Sequence, residues 1–278
     1  MPELPEVEIL VRHLREQVVG KRIRTVALFR PRSLRGSLAK RFARDLAGQR
    51  IVALSRRAKY LRFGLGNGQC FLIHLGMTGR VSMETRPRRA KHDVAHIHLG
   101  RLTMVFHDPR KFGRLAWGDE ALRALGPEPL ARKFTPGYLL AALRKSRAPI
   151  KARLLDQRFV AGLGNIYACE ALWRAQINPR NPCHTLDDRA VTILHKSILS
   201  TLRDAIRFGG GLSLNLDSTD RGDGTFYYGS GKRHDVPAEH FAVYDRETKP
   251  CLRCHGFIRR IRQGGRSTFY CERCQTVR

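Results

Sequence analysis

The run Tyr60-Leu61-Arg62-Phe63-Gly64-Leu65-Gly66-Asn67-Gly68-Gln69-Cys70-Phe71-Leu72-Ile73-His74-Leu75 decides the architecture of the first half of this chain. Two apolar stretches, 60–65 and 70–75, flank Gly66-Asn67-Gly68, and Asn-Gly accepts the positive φ that a tight hairpin turn needs. Downstream, 97–99 and 102–106 read as a second strand pair joined at Gly100-Arg101. Short strands at this turn spacing predict a β-sandwich. Upstream, Val7, Leu10, Val11, Leu14 and Val18 recur at helical spacing across 6–19, with Gly20 placed to end the run.

A boundary is expected from Gly126-Pro127-Glu128-Pro129 to Pro136, where Pro and Gly cluster. Beyond it the periodicity turns helical, over 138–144, 150–155, 165–174 and 187–208. The third of these follows Gly162-Leu163-Gly164, and the fourth carries Val191, Leu194, Ile198, Leu202 and Ile206 on one stripe before Gly209-Gly210-Gly211. Residues 212–240 are polar and Gly-rich without a clear period, and read as a long mobile loop. Strands are expected at 257–263 and 266–270, around Gly264-Gly265. The fold class is α+β: a β-sandwich flanked by helices over 1–130, a helical domain over 131–242 with the loop 209–240, and a small C-terminal finger over 243–278.

The finger has its own signature. Cys251-x-x-Cys254 and Cys271-x-x-Cys274 are separated by residues 255–270, a spacing suited to four-thiolate zinc. Because all four ligands are thiolates, one structural Zn2+ is expected, and so small a segment needs the metal to fold. Cys70, Cys169 and Cys183 lie in apolar or irregular segments and read as plain thiols. Lys and Arg number 52 against 24 Asp and Glu, a formal charge of +28. That balance calls for an acidic polymer as partner, with nucleic acid ahead of an anionic membrane surface, since no long basic amphipathic helix is present. No apolar run approaches a spanning helix and the N-terminus lacks a signal core, so a cytoplasmic or nucleoid location is expected.

The chemistry points to Met1-Pro2-Glu3-Leu4-Pro5-Glu6-Val7-Glu8. Removal of Met1, expected before a small residue, leaves Pro2 as a terminal secondary amine beside the Glu3 carboxylate. A terminal amine has a pKa of roughly 7.7–8, so ~10 % is unprotonated at neutral pH, and it can act as a nucleophile without a partner base. Attack on a sugar C1′ would give an iminium, an electron sink. Pro2 and Pro5 also suit the first turn of a helix, which is the plainer reading of the same residues.

These motifs together resemble the Fpg/Nei family of DNA glycosylases. The carriers are Pro2 to Glu8, Ala58-Lys59-Tyr60-Leu61, His74-Leu75-Gly76-Met77-Thr78-Gly79, Lys91-His92-Asp93 and Asp108-Pro109-Arg110-Lys111-Phe112-Gly113. Leu155-Asp156-Gln157, residues 160–167 and 265–271 continue the match in the family's order. The resemblance implies a helix–two-turns–helix domain in the helical region and DNA in the cleft between the parts, with the chain acting as a monomer on damaged double-stranded DNA. It implies that Pro2 is the nucleophile and Glu3 the proton donor, that Lys59 assists β-elimination, and that Arg266 assists δ-elimination. Met77, Arg110 and Phe112 are implied to fill the gap left by a flipped nucleotide. His92, Arg110, Lys151 and Asn165 would bind the DNA backbone, and His74 is a further candidate. Without the resemblance, Met77 and Phe112 would read as core, Lys59 as a phosphate contact and His74 as structural.

Two departures stand out. Gly209–Gly211 leads into Leu212-Ser213-Leu214-Asn215-Leu216 and a segment longer than the family's usual loop, and Val94 replaces a second histidine often found after Lys-His-Asp. Leu4 and Val7, with Met77, Arg110 and Phe112, favour a bifunctional glycosylase/AP lyase for oxidised purines such as 8-oxoguanine and formamidopyrimidines. The alternatives are the Nei branch, acting on oxidised pyrimidines, and a non-catalytic zinc-ribbon protein that binds nucleic acid by charge.

Overall fold

The structure is a computed structural model, and it describes residues 2–210 and 241–277. Among the described residues the chain divides into two compact units, one holding 2–123 with 208–210 and the other 124–207 with 241–277. The expected loop 212–240 lies outside the described residues.

The first unit opens with α1 (Leu4–Val18), whose apolar stripe of Val7, Leu10, Val11, Leu14 and Val18 is fully buried. Two antiparallel-rich sheets follow. One has the strand order β1 (Thr25–Leu28), β7 (Asp93–His98), β8 (Thr103–His107), β6 (Arg80–Glu84). The other runs β2 (Leu34–Arg35), β9 (Arg114–Trp117), β5 (Cys70–His74), β4 (Tyr60–Leu65), β3 (Ile51–Arg57). Side chains of both sheets, among them Val81, Ile97, Met104 and Phe106 from one and Leu61, Phe63, Ile73 and Leu115 from the other, share one apolar core with α1. This is the expected sandwich, and α1 packs along β3 and β4. The hairpin at 60–75 forms as its sequence requires, with Gly68 at φ +80° and Gln69 N–H donating to Asn67 Oδ1. Val94, the departure noted above, is buried in that core. A helix that the strand-rich reading passes over, α2 (Ala39–Leu46), buries only Phe42 and Leu46 and leaves its basic residues outside. The unit closes with the short α3 (Glu120–Arg123).

The second unit contains α4 (Pro136–Arg144), α5 (Ile150–Leu154), α6 (Asn165–Arg174) and, as far as Arg207, α7 (Asp188–Gly210). Thr135 caps α4 by accepting the Tyr138 N–H at 3.1 Å. Helix α7 continues through Gly209 and Gly210 rather than stopping before them. The finger is a two-stranded hairpin, β10 (Ile258–Gln263) and β11 (Arg266–Cys271), turning on Gly264 and Gly265 at φ +54° and +75°. Cys70, Cys169 and Cys183 are buried free thiols.

Candidate active site and zinc centre

Glu3 stands at the N-cap of α1 and is 1 % exposed. Its backbone N–H donates to Glu6 Oε2 at 2.7 Å, one arm of a capping box that fixes where the chain enters the helix. Pro2, also buried, is therefore carried on the leading end of a helix whose other face is locked in the core. Arg56 reaches across from β3, donating from Nε to Glu8 Oε2 at 2.9 Å and from Nη1 to the Ala58 carbonyl at 3.2 Å. Burial works against the Glu8 carboxylate, but Arg56 and Arg12 outweigh it and hold its pKa below the usual range. Through Arg56, the first turns of α1 are tied to the turn that carries Lys59. Ala58 adopts a left-handed φ of +52° there, and Lys59 is 7 % exposed.

Met77, Arg110 and Phe112 are brought together on two abutting turns. Asp108, fully buried, accepts from Thr78 Oγ1 at 2.8 Å and from the Gly113 N–H at 2.7 Å, while its own N–H donates to the His92 carbonyl at 2.9 Å. The Arg110 N–H in turn donates to Thr78 Oγ1. Asp108, through its carboxylate and its own N–H, thus fastens three loops that bear candidate DNA contacts. Gly76 must be glycine: its φ is +64°, and a Cβ would lie 2.6 Å from Gly113 N. Met77 is 40 % and Phe112 49 % exposed, with the Arg110 guanidinium 5.3 Å over the Phe112 ring. Apolar side chains held out to solvent by so tightly built a support are not core residues.

His74 lies behind this surface. It accepts the Gly76 N–H at Nδ1 (3.1 Å) and packs 4.7 Å from the Tyr60 ring. Burial, with Lys59 and Arg114 nearby, pushes its pKa down to about 4, so it is neutral at physiological pH and shapes the turn that carries Met77. His92 is half-buried, and desolvation together with His107, Lys91, Arg30 and Lys111 lowers its pKa. A neutral N–H donor ringed by cations suits a phosphate oxygen. Its neighbour Asp93 is buried, pairing with His96 Nε2 at 2.8 Å and His107 Nδ1 at 2.9 Å and accepting the Ala90 N–H at 2.8 Å. Asp93 therefore braces the turn that presents His92.

In the second unit, Lys151 is 0 % exposed, with Nζ bonded to the Ser267 carbonyl at 3.2 Å and to Thr268 Oγ1 at 2.5 Å. Asn165, the first residue of α6, donates to the same Ser267 carbonyl at 2.9 Å. Both residues expected on DNA thus converge on the strand segment that follows Arg266, which is itself exposed.

The four cysteines of the finger lie with their sulfurs within 4.8 Å of one another. A tetrahedron of Zn–S bonds near 2.3 Å sets sulfurs about 3.8 Å apart, and Cys251 and Cys274 stand at 3.9 Å, Cys254 and Cys271 at 3.4 Å. The thiols cannot all ionise at this crowding without a cation. Although burial opposes ionisation, donors including the Arg253 N–H and the Trp173 indole bring Cys251 down to about 6, whereas burial and its sulfur neighbours push Cys274 up to about 12. A dication satisfies the set, and no fifth position is offered for catalysis.

Arg56, Glu6, Asp93 and Asp108 were not legible as functional residues. Asp93 and Asp108 sit inside the quoted motifs, and that was the available signal. Glu6 likewise lies inside the opening motif, and Arg56 carried no signal beyond adjacency.

The N-terminal sandwich headed by Pro2-Glu3, the helical domain and the four-thiolate finger together define a class of DNA glycosylases. Family models match in the same order: the formamidopyrimidine-DNA glycosylase N-terminal domain at 1–115, the formamidopyrimidine-DNA glycosylase H2TH domain at 125–216, and the zinc finger found in FPG and IleRS at 249–277. The chain is 40 % identical over 294 residues to a formamidopyrimidine-DNA glycosylase of Ruegeria pomeroyi, covering 99 % of this chain and 100 % of that one. It is 44 % identical over 289 residues to one of Chloroflexus aggregans, covering 100 % and 99 %. A solved structure of the Lactococcus lactis glycosylase, bound non-covalently to DNA containing an abasic site, matches with a TM-score of 0.85 at 32 % identity, covering 99 % of this chain and 100 % of that one. Another, in complex with DNA containing FAPY-dG, matches with the same TM-score at 34 % identity and the same coverage. The chain belongs to the formamidopyrimidine-DNA glycosylase family. Its finger is the family's structural zinc site, and among the described residues no helix is long and apolar enough to cross a membrane.

Proposed function

We propose that this chain is a bifunctional DNA glycosylase/AP lyase that excises oxidised purines from double-stranded DNA, working as a monomer in the cytoplasm at the nucleoid. The observation that carries the reading is the placement of Pro2 and Glu3 at the head of α1, where Glu6 fixes the Glu3 backbone.

A base inside a duplex is out of reach, so the nucleotide must be extruded. Met77, Phe112 and Arg110 then enter the gap, two as apolar wedges and one as a donor to the widowed base. The Pro2 nitrogen lone pair attacks C1′. The glycosidic bond breaks with its electron pair leaving on the base, which takes up a proton. Glu3 protonates the ring oxygen, the sugar opens, and an iminium joins Pro2 to C1′. The positive nitrogen acidifies the C2′ proton; its removal expels the 3′ phosphate, and a second elimination expels the 5′ phosphate. Lys59 serves the first elimination and Arg266 the second. His92 and Asn165 hold backbone phosphates, with Lys151 and His74 supporting the surfaces around them. Cys251, Cys254, Cys271 and Cys274 hold the zinc, which supplies structure rather than chemistry.

Borohydride reduction during incubation with 8-oxoguanine duplex tests the scheme. A covalent adduct is expected, and Pro2→Gly should weaken excision and trapping on the order of 10²-fold, the scale of a misplaced nucleophile, with DNA binding far less affected. Tight binding without an adduct would mean a binding module. Preferential cleavage of oxidised pyrimidines across a lesion panel would move the chain to the Nei branch.

A further inference from the structure

The finger is fastened to α6 at three levels. At the start of the helix, Asn165 Nδ2 donates to the Ser267 carbonyl. In the middle, the buried Glu170 carboxylate accepts the N–H groups of Ala242, Val243 and Tyr244 at 2.8–2.9 Å. At the last turn, the Trp173 indole Nε1–H donates to Cys251 Sγ at 3.4 Å. The indole is itself clamped. The Arg253 guanidinium lies 4.5 Å over its ring and donates to the Trp173 carbonyl at 3.2 Å. Cys251 is fully buried in the cluster formed by Cys169, Val243, Ile258, Phe269 and Cys271, against which Trp173 packs.

Packing alone would be satisfied by any large apolar side chain at 173. The indole adds a donor, and that donor faces a metal ligand. Four thiolates around Zn2+ leave two negative charges in excess, and burial makes this excess costly unless N–H donors spread it. Cys251 receives backbone donors from within its own knuckle, the Arg253 N–H at 3.5 Å and the Cys254 N–H. The Trp173 donor comes from outside the finger, on helix α6.

We infer that Trp173 is a positioning residue of the zinc centre: its indole N–H orients the Cys251 thiolate and slows loss of the metal, so that metal retention depends on α6 as well as on the finger. The inference rests on the four-thiolate zinc reading. Outer-sphere donors of this kind change metal retention by roughly 10–100-fold.

The test is zinc release from the full-length protein to a chromophoric chelator, after metal content has been measured. Trp173→Phe keeps the ring and the Arg253 stack but removes the N–H; it should release zinc about tenfold faster or more. Trp117→Phe, altering a tryptophan of the other unit, should release zinc at the wild-type rate. Equal rates for Trp173→Phe and wild type, or equal acceleration in both variants, overturn the inference. The unmutated protein supplies a second measurement should Trp173→Phe fold poorly. After cadmium substitution, a scalar coupling between the metal and the indole N–H proton is expected in its NMR spectrum, and absence of that coupling overturns the inference. A wild-type protein without zinc overturns the zinc reading and this inference with it, whereas unchanged release from Trp173→Phe overturns this inference alone.

Discussion

Glu6 fixes where the proposed nucleophile and acid enter α1, because its carboxylate takes the Glu3 N–H at the helix start. The bond is reciprocated, the Glu3 carboxylate accepting the Glu6 backbone N–H in the same capping box. Replacing Glu3 with Gln keeps the shape and the capping capacity but removes the acid. Excision of an intact damaged base should fall by about 10²–10⁴, the worth of a general acid, while incision at a preformed abasic site falls much less; equal losses in the two assays would contradict the proton-donor role. His74 gives a prediction in pH. Its folded pKa of about 4 lies below the ordinary 6.5, so between those values the unfolded chain binds the extra proton and stability rises with pH. The contribution is fully present above about 6.5 and is lost as pH falls towards 4, by about 3 kcal/mol in all. Denaturant titrations at pH 7 and pH 4.5 should show that loss in the parent and a flatter dependence in His74→Asn; identical slopes would exclude His74 as the source.

The turns following β5 and β8 are built as one piece. Asp108 pins Thr78, Gly113 and the His92 carbonyl, and Gly76 lets the two backbones touch. Met77, Arg110 and Phe112 are thus positioned by the contacts between the two turns that carry them. Gly76→Ala should destabilise the first unit by roughly 2–5 kcal/mol, combining the left-handed backbone penalty of ~1–2 with overpacking of ~1–3. Thermal unfolding measures this directly, and a variant as stable as the parent would mean the turns separate easily. Helix α6 plays the corresponding part in the second unit, where Asn165, Glu170 and Trp173 each hold a different part of the finger.

Across the whole molecule the dominant quantity is charge, +28. Internal pairs such as Arg56–Glu8 and Arg174–Asp204 occupy part of the basic side chains, and the surplus over the acids is available to phosphates. For six to ten phosphate contacts, affinity for duplex DNA should drop about 10³–10⁵-fold between 50 and 200 mM salt, with a linear log–log slope. Affinity nearly independent of salt would contradict phosphate neutralisation as its source. The same excess favours undamaged DNA equally, so in the proposed scheme charge does not discriminate and the extrusion step must.

The sequence by itself determined whatever depends on neighbours along the chain. Periodicity located α1 and α6, Asn67-Gly68 and Gly264-Gly265 located two hairpins, and the paired cysteines located the zinc, because each signal spans a few residues. Helix α2 escaped since eight residues with two buried apolar positions carry too little period to read. Tertiary structure alone decided which polar groups support the site. Thr78 meets Asp108 across 30 positions, Arg56 meets Glu8 across 48, and Lys151 meets Ser267 across 116. A buried lysine or aspartate tolerates its desolvation only where such a partner waits, and no local pattern records where the folded chain will bring one.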